Sequence, residues 1–168
     1  MIADAFLSEF EHEAKTTRRF LERVPADRLD WRPHPKSMTV GQLALHIASV
    51  PGGIASAATQ DSIPAPDFSK GMPQPATLDE VLAAHDASVA TVRKVLPTIG
   101  DHRMGGTWTA TAPDGKPVMS MPRSGVIRMI MLNHWIQHRG QLGVYLRLLG
   151  AKVPYSYGPS GDESPFGG

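Results

Sequence analysis

Four stretches of this chain repeat apolar residues at alternating steps of three and four. No other feature narrows the fold as far. Leu7, Phe10, Ala14, Thr17, Leu21 and Val24 line one face of a helix over roughly residues 2–24, which Pro25 stops. Leu43, His46 and Val50 do the same over about residues 39–58, where Pro51 and Gly52-Gly53 predict a kink or an early end. A third helix starts at Thr77, with Glu80 placed for a capping box. Its stripe is Leu78, Leu82, His85, Val89, Val92, Leu96 and Ile99. The fourth covers roughly residues 124–149 and stops at Gly150, with a seam of Ile127, Met131, His134, His138, Leu142, Tyr145 and Leu149.

The links between these helices are long. Residues 59–76, "TQDSIPAPDFSKGMPQPA", read as a crossover. Between the third and fourth helices, two short alternating runs flank Asp114-Gly115, which predicts a small two-stranded hairpin. Residues 151–168 form an irregular tail rich in Gly, Pro and Ser. The expectation is an all-α chain: one domain over residues 1–168, a four-helix bundle with long crossover connections and a small β-hairpin.

Composition removes several classes of function. The net charge is +1, from 17 basic and 16 acidic residues, so nothing calls for nucleic acid or an anionic membrane. No apolar run reaches the length of a membrane span, and the first residues lack the pattern of a signal peptide, so the expected location is the cytoplasm. Cysteine is absent, which removes disulfides, thiolate ligands and a cysteine nucleophile. A transition metal in this chain has to rest on histidine, carboxylate or water.

That restriction gives weight to "NHWIQHRGQL". His134 and His138 stand four apart on the fourth seam, so both imidazoles reach the same point, and His46 lies on the second seam. A lone histidine on an apolar face is usually a core residue bonded to a carbonyl. Three on two facing seams are better explained by a shared metal, held by three nitrogens with a coordination position left open. His85 fits a fourth ligand, a group behind the ligands, a substrate-facing residue or a core histidine, and the last is the plainest reading. Glu9 and His12 match one Glu-x-x-His element of a di-iron bundle, but the fourth helix has no glutamate near its histidines. The run Glu9, Glu11, Glu13 then reads as a solvated face. "HWIQH" lacks the glutamate of H-E-x-x-H, so a metalloprotease of that kind is not supported.

"WRPHPKSMTVGQLALHIA" around His46, "NHWIQHRGQLGVYLRLLG" around His134 and His138, and the "VPYSYGPSGDE" tail together resemble the DinB/YfiT-like superfamily of metal-dependent enzymes. The resemblance covers nearly the whole chain. It implies an up-down-down-up bundle, often a homodimer, with a divalent metal, usually zinc or nickel, on three histidines. His46, His134 and His138 match those ligand positions, and His85 matches none. Some members are transferases or isomerases that use bacillithiol, mycothiol or glutathione.

The functional expectation is a metal-dependent enzyme acting on a small molecule, with a low-molecular-weight thiol supplying the sulfur this chain lacks. The alternatives are a hydrolase that uses metal-bound hydroxide on the same ligands, and a bundle that binds a metal or small ligand without catalysis. Trp31, His85, Trp108, Arg139 and Tyr145 are the substrate-binding candidates. Trp135 fits a dimer contact equally well, Arg139 fits the surface, and Trp31 fits a cap on the bundle end. No general base stands out; Asp30 and Asp86 rank low.

Overall fold

Thr39 opens the second helix with a full capping box. Its Oγ1 accepts from the Gln42 N–H and its own N–H donates to Gln42 Oε1, both at 3.0 Å. This computed structural model describes residues 1–67, 69 and 71–166. Phe68 and Lys70 of the expected crossover and Gly167 and Gly168 of the expected tail lie outside the described residues. The long helices are α1 (Ile2–Leu21), α2 (Val40–Ala57) and α3 (Leu78–Val95). Two short ones follow, α4 (Asp101–Gly105) and α5 (Arg123–Gly125). A π-helical segment, Val126–Asn133, then runs directly into α6 (His134–Leu148). The chain is thus mostly helical, and the uninterrupted fourth α-helix expected from the sequence is instead α, π and α in succession. α2 packs on α3 on one side and on the π segment and α6 on the other, while α1 contacts α3 and α6. Phe10, Leu21, Leu43, Ile47, Val92, Met131, Trp135 and Leu142 belong to the core they share. No helix among the described residues is long and apolar enough to cross a membrane.

The hairpin is present, and a third strand joins it. β2 (Thr107–Thr111) pairs antiparallel with β3 (Pro117–Pro122), while β1 (Ser62–Pro64) pairs parallel with β2. Gly115, at φ +81°, makes the turn. β1 escaped the sequence reading because three residues ending in proline are too few to show an alternation. Trp108 and Ala110 point from β2 into a second apolar cluster with Val126, and the Trp108 Nε1–H donates to the Ala57 carbonyl at 3.1 Å. Arg123 is buried beside it. It donates to the carbonyls of Ala58 (2.6 Å), Gln60 (3.0 Å) and Arg103 (2.6 Å) and to Asp61 Oδ1 (2.6 Å), closing off the end of α2.

Pro51 neither ends nor breaks α2. A proline at this position cannot donate to the carbonyl four residues back, which is that of Ile47. The Trp135 Nε1–H takes that carbonyl instead, at 2.8 Å and fully buried. The Trp135 ring stacks on Phe10, with centroids 5.2 Å apart. At the next residue, the Gly52 N–H donates to Ser88 Oγ on α3 at 2.7 Å. A Cβ on Gly52 would sit 2.9 Å from the Ser88 Cα, so only glycine lets these helices come this close. The sequence feature that predicted a break is what docks α2 to both neighbours.

One turn beyond Trp135 on α6, Arg139 (2% exposed) faces Glu13 (5% exposed), with Nη1 2.5 Å from Oε2. It also donates to Thr17 Oγ1 (3.2 Å) and to the Tyr157 hydroxyl (3.1 Å), and that hydroxyl donates to Glu13 Oε1 (2.9 Å). The tail is strapped across α1 and α6 by this cluster, by Arg147 with Asp162 (2.6 Å) and by Arg23 with Glu163 (3.0 Å). Removing one partner of a buried ion pair leaves an uncompensated charge and costs about 3–5 kcal/mol.

Trp135→Phe removes the indole donor together with part of the buried ring and leaves the Ile47 carbonyl buried and unpaired; the lost bond is expected to cost about 1–3 kcal/mol in urea unfolding, with a cavity cost added. Pro51→Ala restores a backbone donor to that carbonyl. In a double-mutant cycle the cost of Trp135→Phe should therefore shrink in the Pro51→Ala background, and additive effects would show that the two groups are not coupled.

Candidate metal centre

The buried positions of α6 are Trp135, Arg139, Leu142 and Leu146, steps of four, three and four. His134, His138, Gln141 and Tyr145 occupy the adjoining strip, at the border of core and solvent. The expected seam through His134 and His138 is therefore displaced by one strip. The reason is Arg139, a charged residue at a core position, which hid the true seam. The π segment precedes His134 directly, and the His134 N–H donates five residues back, to the Met129 carbonyl. The wider π turn changes how side chains before and after it line up, so Met131 and Leu142 are both buried while the histidines between them are only half-buried.

His46 stands on α2 beside Ile47, whose carbonyl holds Trp135, and Trp135 follows His134 directly. That docking brings the three imidazoles together. Ring centroids lie 4.4 Å apart for His134 and His138, 4.7 Å for His46 and His138, and 5.2 Å for His46 and His134, with planes nearly perpendicular. Each ring offers a nitrogen within 4.8 Å of the other two. Nε2 of His134 and Nε2 of His138 face each other at 2.9 Å. Two lone pairs at that distance repel, as do two N–H groups, so the pair needs a proton or a cation between them. The donor set fits a divalent transition ion, since three imidazole nitrogens suit such metals and leave a coordination position free.

Burial holds His46 well below the usual imidazole range, at about 4, with the neighbouring His138 and His134 adding to the effect. Burial and His138 also lower His134, and the Ile130 carbonyl opposes the shift. Both rings are neutral at pH 7, with lone pairs available to a metal. Nδ1 of His134 is buried without a well-formed hydrogen bond. Nδ1 of His138 lies 2.7 Å from Gln141 Oε1. The place of Gln141 three residues after His138 puts it within reach of that ring.

The other candidates separate. Tyr145 shares the strip of His138 and Gln141. Its ring meets Trp31 edge-on at 5.7 Å, and its hydroxyl donates to the Met38 carbonyl at 3.4 Å. Trp108 belongs to the second apolar cluster, and Arg139 is committed to Glu13 and the tail rather than to the surface. Trp135 is core, not a surface available to a partner chain. His85 (3% exposed) faces α1 and lies 6.4 Å from the Trp135 ring, outside the three-histidine group. Asp86 pairs with Arg18. Glu9 is held by Arg128 and Glu11 by Arg93, while Glu13 is buried, so the acidic run is a set of ion pairs rather than a freely solvated face.

The DinB family model matches residues 1–165. The uncharacterized protein YrdA of Bacillus subtilis is 28% identical over 162 residues, covering 95% of this chain and 90% of YrdA. Among solved structures, a DinB-like protein from Bacillus cereus superposes with a TM-score of 0.71 at 23% identity, over 92% of this chain and 97% of that one. A mycothiol-dependent maleylpyruvate isomerase superposes at 0.50 with 14% identity, over 90% of this chain and 64% of the isomerase. The two structural likenesses speak to fold, and the match along nearly the full length decides the classification: this chain belongs to the DinB family.

Proposed function

We propose that the chain is a metal-dependent enzyme in which His46, His134 and His138 hold a divalent ion, zinc or nickel, and that it transfers or isomerises a small substrate with the help of a low-molecular-weight thiol. The observation that carries this reading is the convergence of three half-buried imidazoles from two helices, two of them with Nε2 atoms facing at 2.9 Å. A divalent ion supplies Lewis acidity, which lowers the pKa of a water or thiol brought to it. The chain's own part is to keep His46 and His134 neutral and all three imidazoles aimed, to dock α2 rigidly to α6, and to present Tyr145 and Trp31 at one end of the same strip as contacts for a substrate. With no cysteine in the sequence, sulfur chemistry needs a thiol from outside. The likeness to a mycothiol-dependent isomerase favours that source. The same reading takes the four long helical stretches as an up-down-down-up bundle and the working form as a cytoplasmic homodimer.

Elemental analysis of protein purified without added metal should find about one divalent ion per chain, lost in His134→Ala. A wild type that carries none and cannot be loaded would sink the proposal. Electrophilic substrates offered with mycothiol, bacillithiol or glutathione, at defined metal content, should turn over only when a thiol is present. Turnover of ester or amide probes without thiol would instead mark a hydrolase.

The lowered His46 pKa has a consequence for the metal-free protein. Below the ordinary value of 6.5 the unfolded chain takes up a proton that folded His46 refuses, down to about 4. Stability is therefore fully present above that range and falls as the pH drops through it. The thermal midpoint of metal-free protein should decline from pH 7 to pH 5, and His46→Ala should reduce the decline. An equal decline in the variant would contradict the assignment.

A further inference from the structure

We infer that Gln141 is a positioning residue for the metal, fixing the tautomer of His138 through a neutral acceptor. This rests on the three-histidine reading above. In neutral imidazole one ring nitrogen carries the proton and the other the lone pair, and the hydrogen bond made by the first decides which is which. For His138 to hold an ion through Nε2, which faces Nε2 of His134 at 2.9 Å, the lone pair is needed there and the proton belongs on Nδ1. Gln141 Oε1 lies 2.7 Å from Nδ1 and is the acceptor that holds the proton in place. The two residues sit three apart on the regular part of α6, so the contact is set by the helix itself.

The three rings are not equally supported. Nδ1 of His134 is buried without a well-formed partner, and only a backbone carbonyl, that of Ile130, lies on that side of the ring to act on it. His46 is shifted by burial and by its two neighbours, with no hydrogen bond among the causes. Gln141 is thus the one side chain hydrogen-bonded to the outer nitrogen of any of the three histidines among the described residues. It is also uncharged. A carboxylate there would push electron density into the ring and offset part of the charge of a bound cation. An amide orients the ring and leaves that charge whole, which favours an anionic partner such as a thiolate.

The test uses the full-length protein and Zn(II) or Co(II) alone. Gln141→Leu should weaken metal binding by about 10–100-fold. Gln141→Glu, of the same shape, should bind more tightly and shift the Co(II) absorption bands. In the metal-free protein, long-range nitrogen–proton NMR should find His138 protonated at Nδ1 in the wild type and at Nε2 in a substantial share of Gln141→Leu molecules. Gln141 is exposed, so both variants should keep the wild-type circular dichroism. Should Gln141→Leu misfold, Gln141→Glu alone decides through its affinity and absorption bands. Variants with wild-type affinity and an unchanged tautomer overturn the inference while leaving the metal site intact. A wild type that binds no ion removes both.

Discussion

The hydrogen bond from the Trp135 indole to the Ile47 carbonyl is the contact on which the histidine geometry depends. Pro51 creates the need for it by withholding a backbone donor inside a buried helix, and Trp135 meets the need from the facing helix. A buried carbonyl without a partner costs roughly 1–3 kcal/mol, so the two helices are held to one relative position rather than several. His46 precedes Ile47 and His134 precedes Trp135. Fixing the carbonyl to the indole therefore fixes two of the three imidazoles almost directly, and the helical repeat delivers the third.

A second set of buried polar groups holds the same helix one turn further along. Arg139, Glu13, Thr17 and Tyr157 hold α6 to α1 and pin the tail across both. α6 is thus clamped through its buried strip, by the Trp135 indole to α2 and by the Arg139 ion pair to α1, and the adjoining strip toward solvent is left to the histidines, Gln141 and Tyr145. A centre placed on that border has rigid walls behind it and access in front, which suits chemistry on a diffusing substrate better than a fully enclosed core site would.

Much of this was legible in the sequence, and the exceptions have physical causes. The apolar stripes of the first and third helices, the Thr39 and Thr77 starts, the stop at Gly150 and the turn at Asp114-Gly115 all depend on local chemistry, and each is found where the residues place it. The three histidines were identified as a group because spacing and the absence of cysteine leave few other metal donors. The true seam of α6 was not legible, because a buried arginine looks like a surface residue until its partner, 126 positions earlier, is known. The π segment, the Trp135 bond and the parallel strand at Ile63 are likewise products of long-range contact. Gln141 lay in plain view, but its role depends on which way the His138 ring turns, and a linear sequence does not state that.

The central claim is that one ion rests on His46, His134 and His138 and on no other residue of this chain. Anomalous X-ray diffraction from crystals of metal-loaded protein measures this most directly. The account predicts a single strong anomalous peak among these three imidazoles, with the rest of the coordination filled by something other than protein. A peak elsewhere, or a fourth ligand such as His85 closing the shell, would contradict it.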